Sequence, residues 1–276
     1  MAKLTLKCAC YQRYTGRLAG AETPLTTVNQ VLGEHIGRNI SSCVGSMTAN
    51  DIAAHFMCST IIDIPFSSGA LMWPKLQAAI GAYTACPPET VVNAYECAAW
   101  GYALRYALER KLTTPYILCS IVDLNILDLS FWERNPNWGN SGFGIATLLF
   151  ECEPEALSDV IVGVAKTSNS IAEFTIAMRE TLKLRQGLKL AQPFFPSHVT
   201  ELFFRLLPDA DHLPDLHPRL GHCFGADPWL SILTDAPKSA PGQRYLAASV
   251  ALNGYWALAE VGVDPTGVFS FTECAI

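Results

Sequence analysis

Val91-Val92-Asn93-Ala94-Tyr95-Glu96-Cys97-Ala98-Ala99-Trp100-Gly101-Tyr102-Ala103-Leu104 is the stretch whose reading decides the fold. It opens on β-branched residues, reaches a cysteine, and runs on through small and apolar residues with no proline before Pro115. That pattern predicts a strand, a tight elbow, and a helix starting at or just after Cys97. Arg105 is the helix's only charge before Glu109, and a helix apolar nearly all round is a buried one. A thiol at its start would meet free backbone N–H groups and the positive end of the helix dipole, so its pKa is expected to fall. Cys97 is therefore a candidate nucleophile. The alternative is a core thiol, since free cysteines commonly behave as small buried hydrophobes.

Composition narrows the field. Half of the 276 residues are hydrophobic and 16% are charged, below the usual share of about 25%. Such a chain can build a large core, and part of its surface is expected to lie in a subunit interface. A net charge of −6 argues against a general nucleic-acid binder, which needs a basic excess to neutralise phosphates. The ten cysteines are irregularly spaced, and Cys119 and Cys152 lie inside apolar runs, as expected for reduced core thiols. The start lacks an apolar signal segment, and Tyr245 to Val263 is interrupted by Ser249, Asn253, Gly254 and Glu260. A cytoplasmic protein with no membrane span is expected.

Along the chain, residues 3–14 read as a first strand. Cys8 and Cys10 within it could touch a metal, but no second Cys/His pair completes a zinc spacing. The region from Gly16 to Thr48 resists assignment. Asn50 is expected to cap a short helix through Met57, with a strand at Ser59–Ile64 and a helix at Lys75–Gly81. Strands follow at Tyr116–Asp123 and Gly142–Phe150, separated by a Trp-, Asn- and Gly-rich loop. The later half reads as a strand at Val160–Val164, a helix over 170–184, and a helix from Val199 to Leu207 after Pro196-Ser197-His198. A glycine-punctuated turn, Gly221-His222-Cys223-Phe224-Gly225-Ala226-Asp227-Pro228, precedes a helix over 229–235. Strands at Gln243–Leu252 and Tyr255–Val261 flank the turn Asn253-Gly254. Alternating strands and helices at this spacing indicate an α/β fold.

Cys97, His198 and His222 are each presented at a strand end, and a cysteine beside imidazoles suits nucleophilic acyl chemistry. Here a resemblance joins the residue-level reading. Cys97-Ala98-Ala99-Trp100-Gly101-Tyr102-Ala103-Leu104 resembles the nucleophile elbow of initiating β-ketoacyl-acyl carrier protein synthases of the thiolase superfamily, Cys-Ser-Gly-Phe-x-Tyr-Ala-Leu. Ser141-Gly142-Phe143-Gly144-Ile145-Ala146 is similar to their Asp-Gly-Ala-Gly-Ala strand entry. Gly221-His222-Cys223-Phe224-Gly225-Ala226 resembles the Gly-His-x-x-Gly-Ala turn of thiolases and elongating ketosynthases, where the initiating enzymes carry Asn at the histidine's place. Pro196-Ser197-His198-Val199-Thr200 resembles the first-histidine loops of both groups.

The resemblance covers residues 60–152 well and 192–262 fairly. It implies one thiolase-like domain over 1–276, a pseudo-duplicated five-layer α-β-α-β-α fold with halves at about 1–155 and 156–276. It also implies a dimer of identical or related chains. Cys97 would take an acyl group from an acyl carrier protein or coenzyme A thioester, with no permanently bound cofactor and no metal. His198 and His222 would grip a malonyl-type thioester for decarboxylative condensation in polyketide or fatty-acid-type biosynthesis. An oxyanion hole would form from Cys97 and the loop at Asn253 and Gly254. Trp73, Trp132, Trp138 and Phe143 would line an acyl tunnel, and Arg105, Arg110 and Lys111 a cationic mouth.

The departures are Glu96 before the nucleophile, Ala99 for the family's glycine, Ser197 at the first-histidine position, and a short N-terminal region. Glu96 would oppose thiolate formation unless it points away or is paired. These departures leave open an auxiliary, chain-length-factor-like or acyltransferase subunit of a heterodimeric ketosynthase. A metal site at His212, His217 and His222 is disfavoured, because histidines five apart share no helix face and prolines make the segment a loop.

Overall fold

The computed structural model describes residues 3–16 and 23–274. The elements are, in order, β1 (Leu4–Tyr14), α1 (Leu25–Val44), β2 (Ile52–Cys58), α2 (Asp63–Ser67), α3 (Trp73–Gly81), β3 (Thr90–Val92) and α4 (Ala99–Leu108). They continue with β4 (Tyr116–Asp123), α5 (Ser130–Glu133), β5 (Arg134–Asn135), β6 (Gly139–Asn140), β7 (Phe143–Cys152), β8 (Val160–Val164) and α6 (Ser170–Leu184). The last are β9 (Leu188–Ala191), α7 (Ser197–Leu206), β10 (Asp211–His212), α8 (His217–Leu220), α9 (Asp227–Asp235), β11 (Arg244–Val250) and β12 (Tyr255–Cys274).

Period-two strands and two kinds of helix set the layers. In β4, Ile117, Cys119 and Ile121 face a central core, whereas Leu118 and Val122 face an outer one. The central core is filled by α4 and α9, whose Trp100 and Trp229 rings meet edge-to-face at 4.8 Å. Both helices are apolar on most sides because a strand layer lies against more than one face. Helices α1 and α3 cover the outer side of β1, β7, β4 and β2, and α6 and α7 cover the outer side of β9, β11 and β12. The result is helix, sheet, helix pair, sheet, helix.

Strands run in the order β10-β9-β11-β12-β1-β7-β4-β2-β3, with β8 also on β12. The long β12 joins the two sheets. Its first part pairs antiparallel with β11 and β8, and from Gly262 onward it pairs parallel with β1. The pairing shifts register between Leu6 and Cys8, where Asp264 to Gly267 bulge out.

Several expectations fail near the N-terminus. The 20-residue helix α1 occupies part of the stretch that resisted assignment; residues 17–22 of that stretch lie outside the described residues. Gly33 and Gly37 mask it as a loop, yet they are there for close packing: a Cβ on Gly33 would sit 2.4 Å from the Ala79 Cβ of α3. The helix expected from Asn50 to Met57 is the strand β2, held between β3 and β4. The strand expected at Ser59–Ile64 is instead a turn leading into α2. There the Ser59 hydroxyl donates to Asp123 and accepts from the N–H groups of Ile61 and Ile62. Strand β9 was not anticipated.

Candidate active site

Strand β3 ends at Val92, and a turn followed by a one-turn 3-10 helix, Glu96–Ala98, delivers Cys97 just ahead of α4. Glu96 takes a left-handed φ of 47°, uncommon for a non-glycine residue, so the elbow is tightly wound. Cys97 is 7% exposed and opens onto a cavity of about 440 Å³. Trp132, Trp138, Phe131, Phe195 and Phe224 form much of its wall, a size and composition suited to a small or medium apolar ligand. His198 and His222 line the same cavity. The chain thus brings together the three residues singled out from sequence.

His222 approaches the sulfur directly, with its Nε2 3.8 Å from Cys97 Sγ. It is carried by the turn between α8 and α9, where the His222 N–H donates to the Asn140 carbonyl and the His222 carbonyl accepts the Gly142 N–H, locking the backbone to the β6–β7 connection. The opposite ring nitrogen, Nδ1, lies 2.7 Å from an oxygen of Asp227 and 2.9 Å from the Phe194 carbonyl. Asp227 is fully buried at the start of α9, and its two oxygens also accept the N–H groups of Phe194 and Cys223. Burial alone would push the imidazole toward its neutral form, but the Asp227 carboxylate overrides this and holds His222 well above the ordinary histidine range. A Cys–His–Asp relay results. Asp227 was not anticipated as a member; its signal was an acidic residue opening a helix five positions after a candidate histidine.

The thiol itself behaves differently from expectation. Burial pushes the Cys97 thiol up, and the lowering by His222 and the Thr60 hydroxyl only partly offsets it. The dipole argument placed the sulfur at a solvated helix start, whereas the 3-10 turn places it in a desolvated floor. Thr60 Oγ1 lies 3.6 Å from the sulfur, and the Thr60 N–H donates to Asp123. Asp123 is buried and pushed up to about 6 by that burial. Neither residue was flagged by the sequence.

Glu96 does not face the sulfur as an unpaired charge. Its carboxylate accepts the Leu252 N–H at 3.0 Å, and burial raises its pKa, so the objection it posed to a thiolate is weakened. The same contact changes the expected oxyanion hole. The Leu252 N–H is occupied by Glu96, and the Gly254 N–H is occupied by the Ala251 carbonyl. Asn253 is exposed, with its amide toward the Ala94 carbonyl. Gly254 and Asn253 therefore present no open donor at the cavity, because the 251–254 turn and Glu96 consume these groups.

The remaining expectations divide. Trp132 and Trp138 line the cavity as expected. Phe143 stacks on Phe224 at 6.2 Å and does not itself line it, and Trp73, the first residue of α3, packs against the outer core. Arg105 pairs with Glu109 and the Val160 carbonyl, and Arg110 lies over the Tyr106 ring, so neither forms a mouth to this cavity. His212 bonds to Gln192 and the Leu207 carbonyl, while His217 bonds to the Trp138 carbonyl, so the three later histidines do not converge on a metal. No helix among the described residues is long and apolar enough to cross a membrane.

No family model and no curated protein matches the sequence. Among solved structures, the chain is similar to a 3-oxoacyl-(acyl-carrier-protein) synthase III, with 12% identity and a TM-score of 0.64 over 94% of this chain and 99% of that one. It is similar to the acyltransferase ChlB3, with 11% identity and a TM-score of 0.68 over 96% and 99% of the two chains. It is also similar to a chain of AntDE:AntF, a type II polyketide synthase acyl-carrier protein in complex with its ketosynthase, at 11% identity and a TM-score of 0.61 over 95% and 100%. The chain has the thiolase-like fold of these proteins.

Proposed function

We propose that this chain is an acyl-thioester-using transferase of the condensing type, with Cys97 as the acyl carrier. The observation that supports it best is the sulfur of Cys97 lying 3.8 Å from His222 at the floor of an aromatic cavity, with Asp227 behind the ring. Protonated His222 holds the thiolate as an ion pair. The thiolate attacks the thioester carbonyl, the tetrahedral intermediate collapses, and the departing carrier thiolate takes its proton from His222. In the second half-reaction a malonyl-type thioester enters the same cavity and loses carbon dioxide. The resulting enolate attacks the acyl carbonyl, collapse returns the Cys97 thiolate, and His222 takes up a proton from solvent to restore the ion pair. His198 steadies the enolate oxygen in this reading, supported by its position on the cavity wall at the start of α7. Acyl carrier protein is the preferred carrier, on the analogy of the AntDE:AntF complex, and coenzyme A the alternative.

A second reading rests on Asp227. Once the acyl group is loaded, neutral His222 donates Nδ1–H to Asp227 and turns a basic Nε2 toward Cys97. That is the arrangement of a general base, suited to handing the acyl group to a hydroxyl or amine. The experiment offers the purified chain acyl thioesters on acyl carrier protein and on coenzyme A, and reads the Cys97 peptide by mass spectrometry. Malonyl thioester is then added to one portion, and hydroxyl and amine acceptors to another. An adduct discharged with release of carbon dioxide supports condensation, and discharge to the acceptors supports the second reading. Absence of any adduct would overturn both and favour a non-catalytic subunit.

A further inference from the structure

On the far side of β1 from the central core lies a group of side chains that the acyl chemistry does not use. Cys8 and Cys10 are two apart on β1 and share its outward face, with their sulfurs 3.6 Å apart. Cys43, in the last turn of α1, brings a third sulfur down onto them, and the three lie within 4.8 Å of one another. All three are buried, at 2%, 3% and 7% exposure. They belong to the core between α1 and the sheet, while Cys97 belongs to the core beneath α6 and α7.

We propose that Cys8, Cys10 and Cys43 form an all-sulfur binding site for a soft monovalent metal ion, copper(I), held in three-coordinate geometry. A metal–sulfur bond of about 2.3 Å sets the sulfurs of a trigonal site about 4.0 Å apart, which falls between the Cys8–Cys10 separation of 3.6 Å and the outer bound of 4.8 Å. Thiolate sulfur selects copper(I) and zinc among biological ions. Zinc in protein sites is almost always four-coordinate, and among the described residues no fourth Cys, His, Asp or Glu joins the group. Copper(I) is content with three. One of the three ligates as thiolate, releasing to solvent the one proton that the ion's single charge replaces, and the other two ligate as neutral thiols.

The surroundings fit a ligand set better than a packing accident. Ser270 and Thr147 stand directly opposite Cys10 on the flanking strands β12 and β7, so their hydroxyls share its face. The Cys43 thiol donates to the Thr147 carbonyl at 3.6 Å, which orients its sulfur while it stays protonated. Such outer partners fix ligand orientation. By contrast, Cys58 and Cys119 are 3.7 Å apart in the central core with no third ligand, as two packed thiols would be.

The test uses the full, reduced chain under anaerobic conditions, titrated with copper(I) in competition with the chelator bicinchoninate. One ion per chain is expected, with X-ray absorption showing three sulfurs at about 2.3 Å. Cys10→Ser and Cys43→Ser should each weaken binding by about 100-fold or more, while Cys97→Ser binds like the unaltered chain. The absorption measurement needs no variant, so it stands even where a serine in the core impairs folding. Failure to retain copper(I), a sulfur count of two or four, equal binding by the Cys43→Ser variant, or a native disulfide within the trio would each overturn the proposal.

Discussion

Replacing Asp227 by asparagine isolates the charge behind His222. In the native chain the carboxylate keeps the buried imidazole protonated, and the imidazolium 3.8 Å from the sulfur favours the thiolate. In Asp227→Asn only the weaker pull of the Cys97 sulfur opposes burial, so His222 becomes neutral and Cys97 loses its counter-ion. A unit charge pair at that distance in an effective dielectric of about 20 is worth roughly 4 kcal/mol, or roughly three pK units at about 1.36 kcal/mol each. That figure is a ceiling, and an upward shift of one to three units is expected, about 10–10³-fold slower alkylation at neutral pH. Both oxygens of Asp227 accept backbone N–H groups, whereas asparagine offers a single acceptor oxygen. One buried donor is left unpaired, at a cost of about 1–3 kcal/mol, so rates must be taken below the variant's melting temperature. The assay follows carbamidomethylation of the Cys97 peptide by iodoacetamide against pH. Superimposable profiles for variant and parent would refute the relay.

Other outcomes follow from the same structure. His198→Ala should load acyl groups on Cys97 within about threefold of the parent yet slow the condensation step by about 10²–10³-fold, measured as carbon dioxide release; a lost adduct would place His198 in the first half-reaction instead. Glu96→Gln keeps an acceptor for the Leu252 N–H, so the alkylation profile of Cys97 should hardly move; a large downward shift would mean the carboxylate does oppose the thiolate. Asp123 has a folded pKa of about 6, above its unfolded value, so the native state binds more protons between those values and its stability falls as pH rises through them. Relative to Asp123→Asn, thermal unfolding of the parent should lose about 2–3 kcal/mol between about pH 4 and 6; parallel curves would rule this out. Gly33→Ala gains about 1 kcal/mol in helix propensity but drives a Cβ to 2.4 Å from Ala79, so urea denaturation should show net loss of about 1–2 kcal/mol, and a stabilised variant would contradict the packing.

Those glycines also explain where the sequence was legible and where it was not. Strands β4, β7 and β8 and helices α4 and α6 could be read because burial alone dictates their patterns: continuous apolar runs between two layers, or a period of 3.6 with one charged face. Helix α1 carries the same signal at Val28, Leu32, Ile36 and Ile40, but Gly33 and Gly37 depress local propensity for the sake of α3, a partner invisible until the chain is folded. The site divides in the same way. Cys97 and the two histidines were legible because each sits in a local motif. Thr60 meets the sulfur directly, Asp123 holds Thr60, and Asp227 holds the His222 ring, by contacts that only tertiary structure creates. The electrostatic error has the same origin. A helix start favours a thiolate only while its N–H groups face a polar medium or the sulfur directly, and here the desolvation of Cys97 exceeds that benefit. An imidazolium anchored on a buried carboxylate is then the element on which sulfur reactivity depends. Under the proposed chemistry, Asp227, unremarkable in the sequence, bears on the reactivity of Cys97 more than the start of α4 does.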